Sequence, residues 1–136
     1  MKIIKKEIVI TAPVAKVWQH ITDPGKLAGW LMPNDFKPSV GRAFTMECGT
    51  EGTISCVVKE IIPHQKLVYS FKSKDTRIET LVTITLAPEN GHTRLTLIHS
   101  GWDALPLPDQ NIADTFDSGW GGFLRNLQEQ LATSGK

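Results

Sequence analysis

The chain has 136 residues, of which 40% are hydrophobic and 21% are charged, and its formal net charge is +1. This length and composition predict a single folded domain over residues 1–136. The near-neutral charge disfavours a nucleic-acid partner, because such binding depends on an excess of Lys and Arg. No apolar run is long enough for a membrane helix, and the charged first residues lack the apolar stretch of a signal peptide. We therefore expect a cytoplasmic protein with no membrane partner.

The first third of the sequence predicts one strand and two short helices. Residues 3–10 alternate between apolar and polar side chains, which is typical of a strand. Pro13 favours the start of a helix, and apolar residues follow it at helical spacing. Asp23 and Pro24 predict the cap of a second helix, which should run towards Leu27 or Trp30.

From residue 41 to residue 101 the apolar period changes to two, which predicts five antiparallel strands joined by short turns. Asn90-Gly91 is a strong hairpin signal. Glu60 has the parity of an inward position, and we predict a β-bulge that rotates this charge outward. Cys48 and Cys56 fall on two strands of one hairpin but several residues out of register, so we predict that both are free thiols.

The last segment predicts one long amphipathic helix, because apolar residues recur at helical spacing over residues 112–131. Gly119, Gly121 and Gly122 surround Trp120 in its middle, and each interior glycine disfavours a helix by about 0.5–1 kcal/mol. We therefore predict that the backbone bends or approaches the sheet closely there, and that a methyl group added at Gly121 or Gly122 is destabilising.

Several strings of the sequence resemble a known family when they are taken in their order along the chain. They are Ile10-Thr-Ala-Pro-Val-Ala-Lys-Val-Trp18, Thr22-Asp-Pro24 with Trp30, Gly41-Arg-Ala-Phe44, Glu60-Ile-Ile-Pro-His-Gln-Lys-Leu67, Thr93-Arg-Leu-Thr-Leu-Ile-His-Ser-Gly101 and Gly119-Trp120. Together they resemble the START-like (SRPBCC, helix-grip) superfamily, and within it the homologues of the activator of the 90-kDa heat-shock protein ATPase. The resemblance implies an α+β helix-grip fold: a curved antiparallel sheet of six or seven strands around a long C-terminal helix, with two short helices after strand 1.

The resemblance also implies a cavity between sheet and C-terminal helix. The inward positions that should line this cavity are mostly large and apolar, with one hydroxyl and one imidazole among them. They are Met46, Cys56, Val58, Tyr69, Phe71, Val82, Ile84, Leu97 and His99 on the sheet, Trp120 and Phe123 on the helix, and Trp30 near the entrance. We expect a pocket bounded by Trp120, Tyr69 and His99, although the same residues also suit a filled core.

The sequence contains no nucleophile elbow, no phosphate-binding glycine loop and no Cys/His metal spacing, so we assign no catalytic residue, metal or cofactor. Our leading hypothesis is non-enzymatic binding of a small apolar molecule. One alternative is a polyketide-cyclase-like or hydrolase-like enzyme that uses His99 and Tyr69. Another is a protein-interaction module of the chaperone-regulator type. His99 is also consistent with a core histidine bonded to a backbone carbonyl.

Overall fold

The computed structural model describes residues 3–48, 52–72, 79–102 and 112–134. Within these ranges six strands and three helices follow one another. They are β1 (Ile4–Ile10), α1 (Val14–Thr22), α2 (Pro24–Trp30), β2 (Ala43–Cys48), β3 (Gly52–Ile62), β4 (Lys66–Lys72), β5 (Thr80–Glu89), β6 (His92–Ser100) and α3 (Ile112–Ser134). The strands form one curved antiparallel sheet in the order β1-β6-β5-β4-β3-β2. The predicted α+β fold is confirmed, with six strands.

Turn residues set the register of the sheet. Asn90 and Gly91 both have positive φ, 53° and 82°, which is the geometry of the tight hairpin that joins β5 to β6. His64 has a φ of 65° in the turn between β3 and β4. One of the predicted short turns, at residues 73–75, lies outside the described residues.

The two short helices begin at the expected proline residues, in different ways. Pro24 occupies the first turn of α2, and the carboxylate of Asp23 accepts a hydrogen bond from the backbone N–H of Lys26 at 2.9 Å. Pro13 instead precedes α1 as its N-cap residue, so it lies one position outside the predicted first turn. None of the three helices in the described ranges is long and apolar enough to cross a membrane.

A β-bulge interrupts the pairing of β3 with β4 between Val58 and Glu60. It turns Glu60 towards solvent, where the carboxylate lies 3.2 Å from the ammonium of Lys66. The predicted bulge is therefore confirmed. The register between β2 and β3 pairs Cys56 with Phe44, four residues from Cys48 along β2. At about 3.3 Å per residue this offset is too long for a disulfide between the two cysteines, and Cys56 is a buried free thiol.

Helix α3 packs on the inner face of the sheet, which is the face that carries Phe71 and His99. The buried side chains of α3 are Phe116, Trp120, Leu124, Leu127 and Leu131. Phe123, which the predicted apolar stripe included, is only half-buried against this core, and Leu124 is buried in its place. Contact with the sheet therefore selects Leu124 rather than Phe123 at this turn of the helix.

The glycines of α3 do not make the close contact that the sequence predicts. The helix continues without a break through all three of them. A Cβ added at Gly122 would meet no atom within 4 Å, and one at Gly121 would lie 4.0 Å from Nζ of Lys6. At Gly119 the nearest atom would be a ring carbon of Phe123 at 3.9 Å. The predicted close approach is wrong, because none of these distances is shorter than an ordinary van der Waals contact.

Candidate functional site

A small apolar cavity lies between the inner face of the sheet and the segment that contains α2. Its volume is about 10 Å³, which is the space that one water molecule needs. The lining side chains come from both short helices, the residues after α2, and strands β2, β4 and β5. They are Ile21, Leu27, Trp30, Leu31, Phe36, Phe44, Met46, Leu67, Tyr69 and Ile84. None of these ten side chains is charged, and the hydroxyl of Tyr69 and the indole nitrogen of Trp30 are their polar groups.

The cavity is covered by α2 and residues 31–36, which we call the cover. Side-chain hydrogen bonds hold it in place. The indole N–H of Trp30 donates to the backbone oxygen of His20 at 2.8 Å. Nδ2 of Asn34 donates to the backbone oxygen of Pro24 at 3.1 Å. The Gln130 amide on α3 donates to the backbone oxygen of Gly29 in α2 at 2.7 Å. The bonds of Trp30 and Gln130 connect the cover to α1 and α3, whereas the Asn34 bond lies within the cover. Backbone hydrogen bonds also pair the cover with β2: the N–H of Asp35 donates to the oxygen of Thr45 at 3.2 Å, and the N–H of Glu47 donates to the oxygen of Pro33 at 2.9 Å.

Tyr69 presents the free polar group of the cavity wall. Its side chain is only 3% exposed, and its ring packs edge-to-face against Phe44, with the ring centroids 5.5 Å apart. Among the residues that the structure describes, none makes a hydrogen bond to the Tyr69 hydroxyl, which borders the cavity. Burial raises the pKa of Tyr69 well above its usual value, so the hydroxyl keeps its proton at neutral pH.

Both ring nitrogens of His99 take part in hydrogen bonds. The indole N–H of Trp120 donates to Nδ1 of His99 at 3.0 Å. Because an indole can only donate, Nδ1 is the acceptor and the proton of the neutral ring is on Nε2. Nε2–H therefore donates to Oγ1 of Thr80 at 2.7 Å, and that hydroxyl donates to the backbone oxygen of Phe71 at 2.7 Å. Burial lowers the pKa of His99 to about 3, so the imidazole is neutral at physiological pH.

An aromatic cluster surrounds this hydrogen-bond chain. Phe71 lies edge-to-face against His99, with the ring centroids 4.9 Å apart, and the ring of Trp102 is 4.6 Å from His99. Trp102 is fully buried and its indole N–H donates to the backbone oxygen of His99 at 3.1 Å. These contacts match the core-histidine interpretation, although the link to a backbone carbonyl runs through Thr80.

The structure divides the twelve predicted site residues into three groups. The residues that line the cavity are Trp30, Met46, Tyr69 and Ile84. Seven others are buried without lining it: Cys56, Val58, Phe71, Val82, Leu97, His99 and Trp120. Phe123 is half-buried. Three residues were expected to enclose one pocket. Of these, Tyr69 borders the cavity, whereas His99 and Trp120 form a hydrogen bond with each other and do not line it.

Six lining residues were not predicted from the sequence, and only some of them carried a signal. Phe44 and Leu67 share the strand parity of Met46 and Tyr69, so a stricter use of period two would have included them. The other missed residues are Ile21, Leu27, Leu31 and Phe36. Ile21 and Leu27 belong to short helices whose packing direction the sequence leaves open, and the last two lie outside regular structure.

A sheet whose inner face packs against a long C-terminal helix, with two short helices that close an apolar cavity, defines a helix-grip domain. The chain belongs to the family described as activator of Hsp90 ATPase homolog 1-like protein, whose model matches residues 11–132. The resemblance noted in the sequence is thereby confirmed. Comparison with curated proteins gives no significant match.

Solved structures share this fold over nearly the whole chain. Protein MLL2253 from Mesorhizobium loti is 31% identical, with a TM-score of 0.86 over 97% of this chain and 98% of that one. The Aha1 dimer from Colwellia psychrerythraea is 19% identical, with a TM-score of 0.78 and 96% of both chains covered. DynU16, a protein from the dynemicin biosynthetic locus, is 22% identical with a TM-score of 0.86, and the match covers 98% of this chain but 48% of DynU16. The last two similarities concern the fold alone.

Proposed function

We propose that this protein binds a small apolar molecule, without catalysis, in the cavity beside Tyr69. The observation that carries the proposal is the Tyr69 hydroxyl, which borders the cavity and makes no hydrogen bond to a described residue, in a wall that is otherwise almost wholly apolar. Apolar walls provide affinity in small-molecule sites, and a few polar groups orient the ligand. A ligand that contacts the Tyr69 hydroxyl would compensate for its missing hydrogen bond.

Binding requires the cover to move outward. An apolar cavity that accepts benzene measures about 150 Å³, and this one has about 10 Å³ when the cover is closed. Trp30, Asn34 and Gln130 supply the side-chain hydrogen bonds of the cover described above. The apolar area that a ligand buries can offset the rearrangement of these side-chain bonds.

The two alternatives have less support. An acid–base enzyme needs a group that exchanges a proton near pH 7, whereas His99 has both nitrogens bonded and a pKa lowered to about 3. A protein-interaction module needs a contiguous exposed apolar patch. The large exposed apolar side chains in the described ranges are spread along the chain: Ile3 just before β1, Val9 on β1, Val40 in the segment before β2, Ile62 at the end of β3 and Leu81 on β5.

A matched pair of variants tests the location of the binding site. Ile84 lines the cavity, and its register partner Leu97 is equally buried but does not line it. We expect Ile84→Phe to fill the cavity and abolish binding of the neutral dye N-phenyl-1-naphthylamine, whereas Leu97→Phe retains it. Dye fluorescence measures binding, and far-UV circular dichroism confirms that both variants fold. Equal binding by the two variants would contradict the proposed site.

Native mass spectrometry of freshly purified protein tests the function without an added probe. We expect a small molecule to co-purify with the parent protein and to be depleted from the Ile84→Phe variant. A bound molecule retained by this variant would place the site elsewhere.

A further inference from the structure

The Tyr69 hydroxyl constrains the chemistry of the ligand as well as its place. This inference rests on the proposed function and concerns the same cavity. We infer that the ligand is a neutral aromatic carbonyl compound, a ketone or a quinone, whose oxygen accepts a hydrogen bond from the Tyr69 hydroxyl.

The absence of charge in the lining excludes charged ligands. None of the ten lining side chains carries a charge. The carboxylates that adjoin lining residues in sequence are those of Asp35 and Glu47, and both residues are exposed. The Asp35 carboxylate accepts a hydrogen bond from the backbone N–H of Thr45 at 2.6 Å. A carboxylate or ammonium group that entered the cavity would lose its hydration without gaining a counter-charge. The ligand is therefore neutral.

Hydrogen-bond accounting favours a carbonyl over an alcohol or a phenol. The Tyr69 hydroxyl keeps its proton, so it can donate one hydrogen bond into the cavity. The Trp30 indole N–H already donates to the backbone oxygen of His20. If an alcohol accepted from Tyr69, its own O–H would face apolar side chains. If it donated to Tyr69 instead, the tyrosine proton would lack an acceptor. A carbonyl oxygen accepts without donating, so one bond leaves no donor unpaired.

The ring geometry of the wall favours a flat aromatic body. Phe36 lies edge-to-face against Phe44, with the ring centroids 4.9 Å apart, and Phe44 lies in the same way against Tyr69. Aromatic rings prefer such edge-to-face and offset arrangements, and each pair adds about 0.5–1.5 kcal/mol to the area that it buries. A ligand ring that enters beside Tyr69 extends this series.

Two nearly isosteric probes separate the carbonyl from the shape of the ligand. Acetophenone and α-methylstyrene differ in having =O or =CH₂ at the same position, and benzoate adds a charge. We expect acetophenone to bind the parent protein about tenfold more tightly than α-methylstyrene, which is the value of one net hydrogen bond. We expect the two affinities to become equal in Tyr69→Phe, and we expect no binding of benzoate.

The assay uses the fact that Tyr69 is the only tyrosine of the chain. Labelling with 3-fluorotyrosine gives a single ¹⁹F signal, which acetophenone should shift, and ¹H–¹⁵N spectra give the affinities for parent and variant. Because the hydroxyl has no protein partner in the described residues, Tyr69→Phe should be as stable as the parent. Equal affinities of the two neutral probes for the parent would overturn the carbonyl inference and leave the apolar site intact. Absence of binding by both would overturn the proposed function as well.

Discussion

Replacement of Trp120 by Phe tests a buried hydrogen bond between α3 and the sheet. In the described residues the indole N–H of Trp120 is the donor to Nδ1 of His99, at 3.0 Å, and both side chains are buried. Phe keeps an aromatic ring at this position but cannot donate. Nε2–H of His99 remains bonded to Thr80, so the ring has no reason to change tautomer, and Nδ1 becomes a buried acceptor without a donor.

The size of the expected effect follows from two contributions. An unsatisfied buried acceptor costs about 1–3 kcal/mol. Loss of the larger indole leaves a small void beside Phe71, and we assign roughly 1 kcal/mol to it from the cost of incompletely filled cavities. We therefore expect Trp120→Phe to lower the free energy of unfolding by about 2–4 kcal/mol.

A double-mutant cycle with His99→Leu isolates the bond from the void. His99→Leu leaves the Trp120 N–H without an acceptor, and the double variant removes both partners together. We expect the double variant to be about 1–2 kcal/mol more stable than the sum of the single effects predicts. The assay is urea denaturation followed by far-UV circular dichroism, because the substitution changes the tryptophan fluorescence itself. Additive effects would refute the argument that this hydrogen bond couples α3 to the sheet.

Three further predictions follow from local geometry. The folded-state pKa of His99 lies near 3, so as the pH is lowered the imidazole takes up its proton at a higher pH in the unfolded chain than in the folded protein. In urea titrations the free energy of unfolding should therefore decrease as the pH is lowered from 6.5, and this group should contribute up to about 1.4 kcal/mol per pH unit. The decrease should be less steep in His99→Leu. Gly122→Ala should raise the free energy of unfolding by about 0.5–1 kcal/mol and so raise the melting temperature. Gly91 has a φ of 82°, so Gly91→Ala should lower the melting temperature. Mass spectrometry after alkylation in denaturant without reductant should find both Cys48 and Cys56 modified; two unmodified cysteines would contradict the register argument.

Alternation of side chains made the sheet predictable from sequence. A shift of one residue would turn every apolar side chain of a strand towards solvent, so parity alone determines which face is buried. The same rule placed the charged Glu60 at an inward position, and the observed bulge turns this side chain towards solvent instead. Asn90 and Gly91 specified their hairpin because positive φ is accessible to these two residue types.

Packing directions and irregular segments were not predictable in the same way. The apolar stripe of α3 allowed either Phe123 or Leu124 to face the core, since both are large and adjacent, and contact with the sheet decides between them. The glycine cluster was interpreted as a contact, but Gly122 faces open space. Residues 31–36 cover the cavity without any periodic pattern, so no sequence rule connects them with Tyr69.

The two candidate polar residues of the inner face show why burial alone does not identify a binding group. His99 and Tyr69 are both buried and both point inward from neighbouring parts of the sheet. Trp120 and Thr80 satisfy both nitrogens of His99, so a ligand would have to replace existing hydrogen bonds there and would gain little. The Tyr69 hydroxyl has no such partner in the described residues, so each hydrogen bond that a ligand makes to it is an addition. Among the inward polar groups, the hydroxyl is therefore the one at which binding gains most.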